Sequence, residues 1–577
     1  MRDFKKEIAA LVAALPQIKE TGLGESEVYA ALETPSDEAK GDYAFPCFRL
    51  AKALRKAPQQ IAAELAESGS LRADFLGRVA NENAYLNFFL DREAVADDTV
   101  SDVLERGERF GASDFGAGRT VIVEFSSPNI AKPFHIGHIR STVIGNSIEK
   151  IYRFIGFDTV RINHLGDYGT QFGKMIVAYR RWGKKEDVER EPIVTLLGYY
   201  QKFHEEADRD PSLENEARET FAKLEQGGEE ELELWQWFRN ESLGEFNRVY
   251  KMLGIEFDSY AGESFYSDKM GRVMRELSEK GLLVESDGAQ IVDLSAYDMA
   301  PALITKSDGS TLYITRDIAA AIYRKETYDF YKNIYVVASQ QNLHFQQFIK
   351  VEELLGYEWA HDCVHVPFGL VSLADGTMST RSGRVVFLED VLNRAVEQTR
   401  KIVIDKNVNT DNIDETARQV GIGAVVFNEL SNNRIKDYVF SWDKILNFEG
   451  ETGPYVQYSH ARAASVLRKA EDAGVKLPGG TGASCGAYLR SDASYSLIKR
   501  IAELPAVILD AGEKYEPSIV TRHIVDIAQA FNKFYHEEHI LVEDEAERDA
   551  KLVLVRAAKQ ALLNGLTLLG IEAPERM

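Results

Sequence analysis

The sequence predicts an α/β protein with a parallel-sheet domain at its centre, a smaller α/β domain before it and an all-α helical bundle after it. Three observations carry this expectation. The run TVIVEF at 120–125, the turn region SSPNIAKPF, a helical stretch over about 135–154 and a second strand, DTVRIN, from 158 make one βαβ unit, the connection that parallel strands require. Short apolar strands then alternate with helical patterns as far as about residue 446, so the sheet continues. From about 451 onward the apolar residues recur almost wholly at helical spacing, which reads as a bundle.

Taken in order, residues 1–110 read as a mixed α/β domain. It holds an amphipathic opening helix, the turn-rich EAKGDYAFPCFRLAK, a helix over 57–67 and the strand-like NAYLNFFL at 83–90. The Gly-rich break ERFGASDFGAGRT sets the boundary to a central domain, 111–450. Within that domain, the stretch over about 184–247 changes character. Acidic residues such as Glu229, Glu230, Glu231 and Glu233 alternate there with apolar ones at helical spacing, which predicts a helical insertion. Beyond it QIVDL, LYIT, NIYVVA and CVHVPFGLV read as further strands of the sheet. Pro478, Gly479, Gly480 and Gly482 mark a surface loop inside the last domain, 451–577.

Composition narrows the class. The chain has 577 residues, 45% hydrophobic and 28% charged, which is ordinary globular usage and sets aside disordered, collagenous and coiled-coil proteins. Lysine and arginine number 68 against 91 aspartate and glutamate, a net charge of −23 that by itself argues against a polyanionic partner. Net charge averages over the whole surface, however, and phosphate binding needs only one local basic stripe. The three cysteines, Cys47, Cys363 and Cys485, are far apart with no C-x-x-C pair, so neither a disulfide framework nor a Cys-rich zinc site is expected, and a reducing cytoplasm fits. The opening MRDFKKEIAALVAALPQI is acidic in part, and no apolar run approaches the roughly 20 residues of a membrane span.

Two segments carry chemistry. In FHIGHIRST, at the start of the first βαβ helix, His135 and His138 are three apart and share a face. A helix start offers unpaired N–H groups and partial positive charge, so imidazoles there can help hold phosphate oxygens, while Gly137 lets a flat ring approach the backbone. Taken without context, the same pair also reads as two solvated cap histidines. Far downstream, in DGTMSTRSGRVVFLEDV, Met378, Ser379, Thr380, Arg381, Ser382 and Gly383 offer hydroxyls, a fixed cation and a flexible backbone. Such a loop can stabilise charge developing on a pyrophosphate leaving group, although alone it reads as a plain polar hairpin. Two other segments mislead. In FYHEEHILVE, His536 and His539 lack the spacing of a zincin pair, and GGTGASCG lacks the Lys-Ser/Thr of a P-loop.

Together the two segments resemble the HIGH and KMSKS signatures of class I aminoacyl-tRNA synthetases. Across essentially the whole chain, ordered stretches resemble the arginyl-tRNA synthetase family in particular: VEFSSPNIAKPFHIGHIRSTVIGNSI, NHLGDYGTQFGK, LGIEFDSYAGES, LYITRDIAAA, YVVASQQNLHFQQ, MSTRSGRVV, TGPYVQYSHAR and LLGIEAPERM. The resemblance implies a Rossmann-type catalytic domain, ATP and L-arginine as substrates, Mg2+ on the phosphates, no zinc, and tRNA-Arg as acceptor. It also implies roles for particular residues. Thr380 stands where the class has its second KMSKS lysine, and in arginyl enzymes a lysine just ahead of HIGH is thought to substitute; Lys132 matches it, and Arg381 shares the role. Read without the family, Lys132 is a solvated loop lysine. For the amino acid the resemblance points to Ser127 and Asn129, to Tyr313 and Asp317, and to Gln341, with Glu124 facing the pocket from the strand end.

The physical case is clearest for Asp317, since a carboxylate can take a guanidinium fork through two parallel charge-assisted bonds that lysine does not reproduce. Tyr313 and Asp317 share a helix face if a helix starts there, and without the family they would read as an ordinary helix start. A polar pocket of this kind discriminates by binding alone, and the insertion of roughly sixty residues is too short for a hydrolytic editing domain.

The last domain resembles the family's anticodon-binding domain. There Tyr455 and Tyr458 can stack on bases and Arg462 can meet phosphate, or the tyrosines are core and the arginine is surface. The first domain resembles the family's module that contacts the tRNA elbow. A monomer is expected. The alternatives are a non-catalytic tRNA-binding paralogue, for which HIGH, Lys132 and MSTRSG would have no use, and a small nucleotidylyltransferase, which would lack the helical C-terminal part. A cysteinyl enzyme would need a zinc cluster that three scattered cysteines do not supply.

Overall fold

Strand β1 (Thr120–Glu124) is a β-branched run with Val121, Ile122 and Val123 fully buried, as a parallel strand covered on both faces requires. In the computed structural model it lies inside a four-stranded parallel sheet with β2 (Asp158–Ile162), β3 (Lys332–Ala338) and β4 (Cys363–Phe368), in the order β4-β3-β1-β2. Thr120 pairs with Asp158 on one side and Val121 with Lys332 on the other. The chain leaves β1 for β2 and later returns to β3 on the opposite side. The sheet therefore has its topological switch point between β1 and β3, the place where open parallel sheets bind ligands at their C-terminal ends.

Residues 2–35, 37–306, 313–372, 386–405, 410, 412–445, 450–477 and 485–577 are described by the structure. By its contacts the chain forms two units, Met1–Phe110 with Ser459–Leu504 and Asp526–Asn564, and Gly111–Tyr458 with Pro505–Val525 and Gly565–Met577.

In the unit that holds the parallel sheet, helix α1 (Ile139–Phe154) connects β1 to β2 and is buried nearly all round. It packs so closely on the residue after β1 that a Cβ on Gly145 would fall 2.1 Å from the Phe125 Cβ, so only glycine fits there. At its second residue, the fully buried Arg140 reaches three backbone carbonyls: Gly369 at 2.9 Å, Lys436 at 2.7 Å and Arg434 at 3.1 Å. It thereby ties α1 to the chain leaving β4 and to the segment ahead of Tyr438–Val439. Glu429, 3.8 Å from Arg140, is fully enclosed, and burial pushes its carboxyl up to about 8 although Arg140 opposes the rise.

The expected insertion over about 184–247 is helical, and the helical run around it is longer: Thr170–Trp182, Lys185–Arg190, Pro192–Ala207, Ser212–Glu225 and α2 (Glu229–Leu253). Its acidic run is partly explained by Arg180, which meets Glu231 at 2.8 Å and Glu230 at 3.1 Å. Two strand expectations need correction. QIVDL lies in a separate antiparallel sheet of Leu283–Ser286, Ala289–Val292 and Ala302–Thr305, not in the parallel one. LYIT does not form a strand, because Tyr313 opens helix α3 (Tyr313–Tyr328) and the helix-favouring RDIAAAIYRK overrides the local β-branched pair. The NIYVVA and CVHVPFGLV readings match β3 and β4, with helix α4 (Asn342–Leu354) between them.

The other unit has an antiparallel sheet in which Tyr85–Leu90 lies between Tyr43–Pro46 and Leu76–Glu82. Asn83, in the left-handed region at φ 52°, makes the tight turn. The opening helix Phe4–Ala14 is capped by Asp3, which accepts from the Lys6 N–H at 2.9 Å. The strand Tyr43–Pro46 sits in a segment that reads as turn-rich. Asp42 before it accepts from the Tyr495 hydroxyl at 3.0 Å and Lys499 Nζ at 3.2 Å, on helix Asp492–Lys514. The C-terminal part is helical as expected, with Gly453–Asp472, Asp492–Lys514, Ser518–Glu537 and Glu545–Leu568. Among the described residues no helix is long and apolar enough to cross a membrane.

Gly145→Ala should destabilise the protein by about 1–3 kcal/mol through overpacking against Phe125. Urea unfolding would show this as a lower midpoint at unchanged slope. An unchanged midpoint would mean that α1 backs away from the sheet at no cost.

Candidate active site

The loop leaving β1 is bent in an unusual way. Ser126, Ser127 and Ala131 all have positive φ, at 70°, 46° and 55°, conformations that cost non-glycine residues energy and concentrate at functional sites. Hydrogen bonds hold the strain in place. The Ser126 N–H donates to Ser141 Oγ at 2.9 Å, the Ser126 hydroxyl pairs with the Tyr250 hydroxyl at 2.8 Å, and Thr142 Oγ1 donates to Ser126 Oγ at 2.9 Å. Ser127 Oγ is buried with no hydrogen-bond partner among the described residues, so it is available to a ligand. Asn129 is exposed and lies against Gly166, where a Cβ would come within 2.2 Å of Asn129 Oδ1.

The HIGH segment forms a 3-10 turn, Ile136–His138, which leads into α1. His135 caps it. The Gly137 N–H donates to His135 Nδ1 at 3.0 Å, which makes that nitrogen the unprotonated one and places the proton on Nε2. His138 Nδ1 lies 3.1 Å from the His135 nitrogen and 3.2 Å from its carbonyl oxygen, so this ring too is turned back on the peptide through Nδ1. Burial lowers His135 to about 4 and His138 to about 3, the latter helped by the charges of His135 and Lys132. At neutral pH both rings are therefore uncharged hydrogen-bonding groups.

Met378, Ser379, Thr380, Arg381 and Ser382 lie outside the described residues. The chain enters that stretch through Val371–Ser372, paired with Tyr438–Val439. It returns at Val386, whose carbonyl accepts from the Ile136 N–H at 3.0 Å, and Phe387 is bridged to His135. The HIGH turn is thus bonded to the described end of the signature segment.

Across the switch point, α3 presents the acidic side of the site. Tyr313 and Asp317 fall on its first turns, as their spacing predicts, with Tyr313 59% exposed. Asp317 Oδ2 is 2.6 Å from His344 Nε2 on α4. Gln341, just before α4, is exposed. Glu124, at the end of β1, is buried and accepts from Arg324 at 2.5 Å, so its carboxylate is held by an arginine of the chain itself and fixes α3 to the sheet. Burial opposes the charge on Arg324, but Glu124 outweighs it and the guanidinium stays protonated.

Several residues that the sequence reading left unassigned join this group. Glu263 accepts from Arg316 at 2.8 Å. Burial pushes its carboxyl up to about 7, Arg316 and Lys132 pulling it down and Asp317 and Asp167 pushing it further up. Lys132 acts electrostatically on both His138 and Glu263. Asp167 is fully buried and holds the Ser264 N–H at 2.9 Å and Arg239 of α2 at 3.1 Å. Glu263, Asp167 and His344 sit in LGIEFDSYAGES, NHLGDYGTQFGK and YVVASQQNLHFQQ, so the signal was present in the motifs but not in any spacing rule.

The anticodon candidates are placed apart from this cluster in sequence. Tyr455 is half-buried and Tyr458 41% exposed, both on helix Gly453–Asp472. Arg462 donates to Asn532 and stacks 5.1 Å over the Tyr535 ring. In FYHEEHILVE, Glu538 pairs with Lys551 at 2.9 Å, which gives that acidic residue an ordinary structural role.

A switch-point crevice with a HIGH turn on one wall and a carboxylate-bearing helix start on the other is the layout of a class I aminoacyl-tRNA synthetase. Residues 99–442 match the family of class I (R) tRNA synthetase catalytic domains, 456–577 the DALR anticodon binding domain and 2–90 the arginyl-tRNA synthetase N-terminal domain. Arginine–tRNA ligase of Clostridioides difficile (strain 630) is 59% identical over 577 residues, and that of Halothermothrix orenii 56%, each comparison covering 100% of both chains. The arginyl-tRNA synthetase structure from Thermus thermophilus superimposes with a TM-score of 0.80 at 25% identity, covering 99% of both chains. The chain belongs to the arginyl-tRNA synthetase family, and its activity is that of an arginine–tRNA ligase.

Arg324→Met leaves Glu124 buried without its cation and should cost about 3–5 kcal/mol in urea unfolding. Adding Glu124→Gln should restore part of that loss. Equal losses in the single and double variants would show that the two side chains are not coupled.

Proposed function

We propose that arginine is activated in the crevice between the C-terminal ends of β1 and β3, with ATP along the HIGH turn and the amino acid toward α3. The observation that supports this most is the strained loop after β1, which leaves Ser127 Oγ buried without a hydrogen-bond partner among the described residues and leads directly into the HIGH turn. The arginine carboxylate attacks the ATP α-phosphorus in line, and pyrophosphate leaves with the bonding electrons, giving arginyl-adenylate. A ribose hydroxyl of the tRNA 3′-terminal adenosine, the 2′-OH by class, then attacks the activated carbonyl, and AMP leaves. No side-chain nucleophile takes part, so catalysis is positioning and charge stabilisation.

In this reading His135, His138 and Gly137 hold the nucleotide. Uncharged imidazoles contribute donors rather than charge, so the cationic share falls to Lys132 and Arg381, with Met378, Ser379, Thr380 and Ser382 closing on the phosphates. Asp317 takes the guanidinium fork with Tyr313 on the same helix face, and Ser127, Asn129 and Gln341 hold the α-amino and carboxylate ends. Glu124 contributes by holding α3 through Arg324. Among the described residues no group of His, Cys, Asp and Glu side chains is arranged to hold a metal ion. Mg2+ enters with ATP, as part of the substrate.

Residues 1–110 contact the tRNA, 111–450 carry catalysis and 451–577 read the anticodon, with Tyr455, Tyr458 and Arg462 as contacts there. The enzyme works as a cytoplasmic monomer, which sedimentation equilibrium tests.

The first experiment is ATP–pyrophosphate exchange with each of the twenty amino acids, with and without tRNA. Exchange with arginine alone is the expected result. No exchange under any condition, with tRNA still retained in a gel shift, would favour a non-catalytic tRNA-binding protein. Lys132→Ala should lower the exchange rate by about 100-fold while changing the Michaelis constant for arginine by no more than about threefold. An unchanged rate removes Lys132 from the mechanism.

A further inference from the structure

His344 stands three residues beyond Gln341 on α4, and its Nε2 lies 2.6 Å from Asp317 Oδ2 on α3. The two side chains are 26% and 27% exposed, so the pair sits at the rim of the crevice, within reach of solvent protons. Its ring is steadied by Phe345 and Phe348 of the same helix, each 5.8 Å away between centroids. Resting on the reading of Asp317 as the guanidinium carboxylate, we propose that His344 is a positioning residue for it. The imidazole orients Asp317, and in its protonated form it competes with the substrate guanidinium for the same carboxylate, so that arginine binding weakens as pH falls.

The competition follows from geometry. A guanidinium fork needs both carboxylate oxygens, and one of them is already bonded to His344. A neutral imidazole can give up or share that oxygen with little electrostatic loss, whereas an imidazolium must be parted from its counter-charge. Burial disfavours a charge on His344, but the hydrogen bond and charge of Asp317 outweigh it and hold the imidazole above its ordinary range. A second cation arriving at Asp317 reverses that gain, so a proton is released on binding and the Michaelis constant for arginine rises as pH falls. Other titratable groups face the pair. His365 on β4 interacts with His344, while Glu263 at the start of the 3-10 helix Glu263–Lys269, Glu352 on α4 and His164 after β2 interact with Asp317. Protonation of any of these groups adds positive charge near Asp317 and gives the same direction of pH dependence; burial lowers His164 and His365, and Glu263, pushed up to about 7, falls within the range of the test.

The test is the pH profile of the Michaelis constant for arginine and of kcat in aminoacylation, between about pH 5.5 and 8.5, which brackets the imidazole range. Wild-type enzyme, His344→Gln, His344→Asn and Asp317→Asn are compared. In wild type the Michaelis constant should rise about tenfold per pH unit below the His344 transition, as one competing proton requires. In His344→Gln or His344→Asn that dependence should be lost. A flat wild-type profile overturns the proposal whether or not the variants fold. A dependence that survives in both variants also overturns it and assigns the titration to a neighbouring group such as Glu263. An unchanged Michaelis constant in Asp317→Asn has a different signature, because it removes the guanidinium reading itself and the proposal with it.

Discussion

The active-site framework depends on one buried ion pair, Arg324 with Glu124. It joins the end of the central strand to the helix that carries Tyr313 and Asp317, and both partners are out of water. Such a pair gains little stability over apolar residues of the same size, because desolvation consumes most of the attraction. Its value is geometric. An apolar contact allows α3 to slide, whereas a charged hydrogen bond at 2.5 Å fixes which turn of α3 faces the crevice. Arg140 does the corresponding work on the nucleotide side, where three carbonyls hold α1 to the chain around β4.

Charge is distributed in a way that the bulk value of −23 conceals. Around the crevice the two HIGH imidazoles are uncharged, Glu263 is close to half-protonated near neutrality, and Glu124 is already neutralised by Arg324. Local charge is therefore set by a few groups: Lys132, Arg316 and Arg239 on the positive side, Asp317 and Asp167 on the negative. A nucleotide and a cationic amino acid bring opposite charges into this small volume. A site poised near neutrality accommodates each without a large net desolvation cost.

Much of this fold can be read from residues close together in sequence. TVIVEF, its turn region and the helix after it announce the βαβ unit because the strand period of two gives way to a helical period within one short segment. LYIT misleads because its β-branched pair is local while the helix-favouring residues follow it. Tyr43–Pro46 is hidden because a four-residue strand beside glycine and proline has the composition of a turn. The HIGH turn and the helix start at Tyr313 were within reach of motif reasoning, since each is contiguous. Glu263 and His344 lie inside quoted motifs, but their pairing with Arg316 and Asp317 is not legible there, because those partners lie 53 and 27 residues away and nothing local relates the two ends. The signature residues 378–382 fall outside the described residues, so for them the sequence remains the only guide.

The way the two units divide the chain has a consequence for synthesis on the ribosome. The unit that begins with Met1–Phe110 is completed by Ser459–Leu504 and Asp526–Asn564. Its first segment therefore emerges long before the helices that finish its core. At translation rates of about 5–20 residues per second that interval is on the order of twenty seconds to a minute and a half. During it Asp42 lacks Tyr495 and Lys499, and the small antiparallel sheet must survive on its own helices. The central sheet, by contrast, has its four strands within Thr120–Phe368 and is made in one continuous stretch. The nascent chain thus has all four strands of its parallel sheet before the N-terminal unit is whole, and the early segment must hold its apolar surface through that interval.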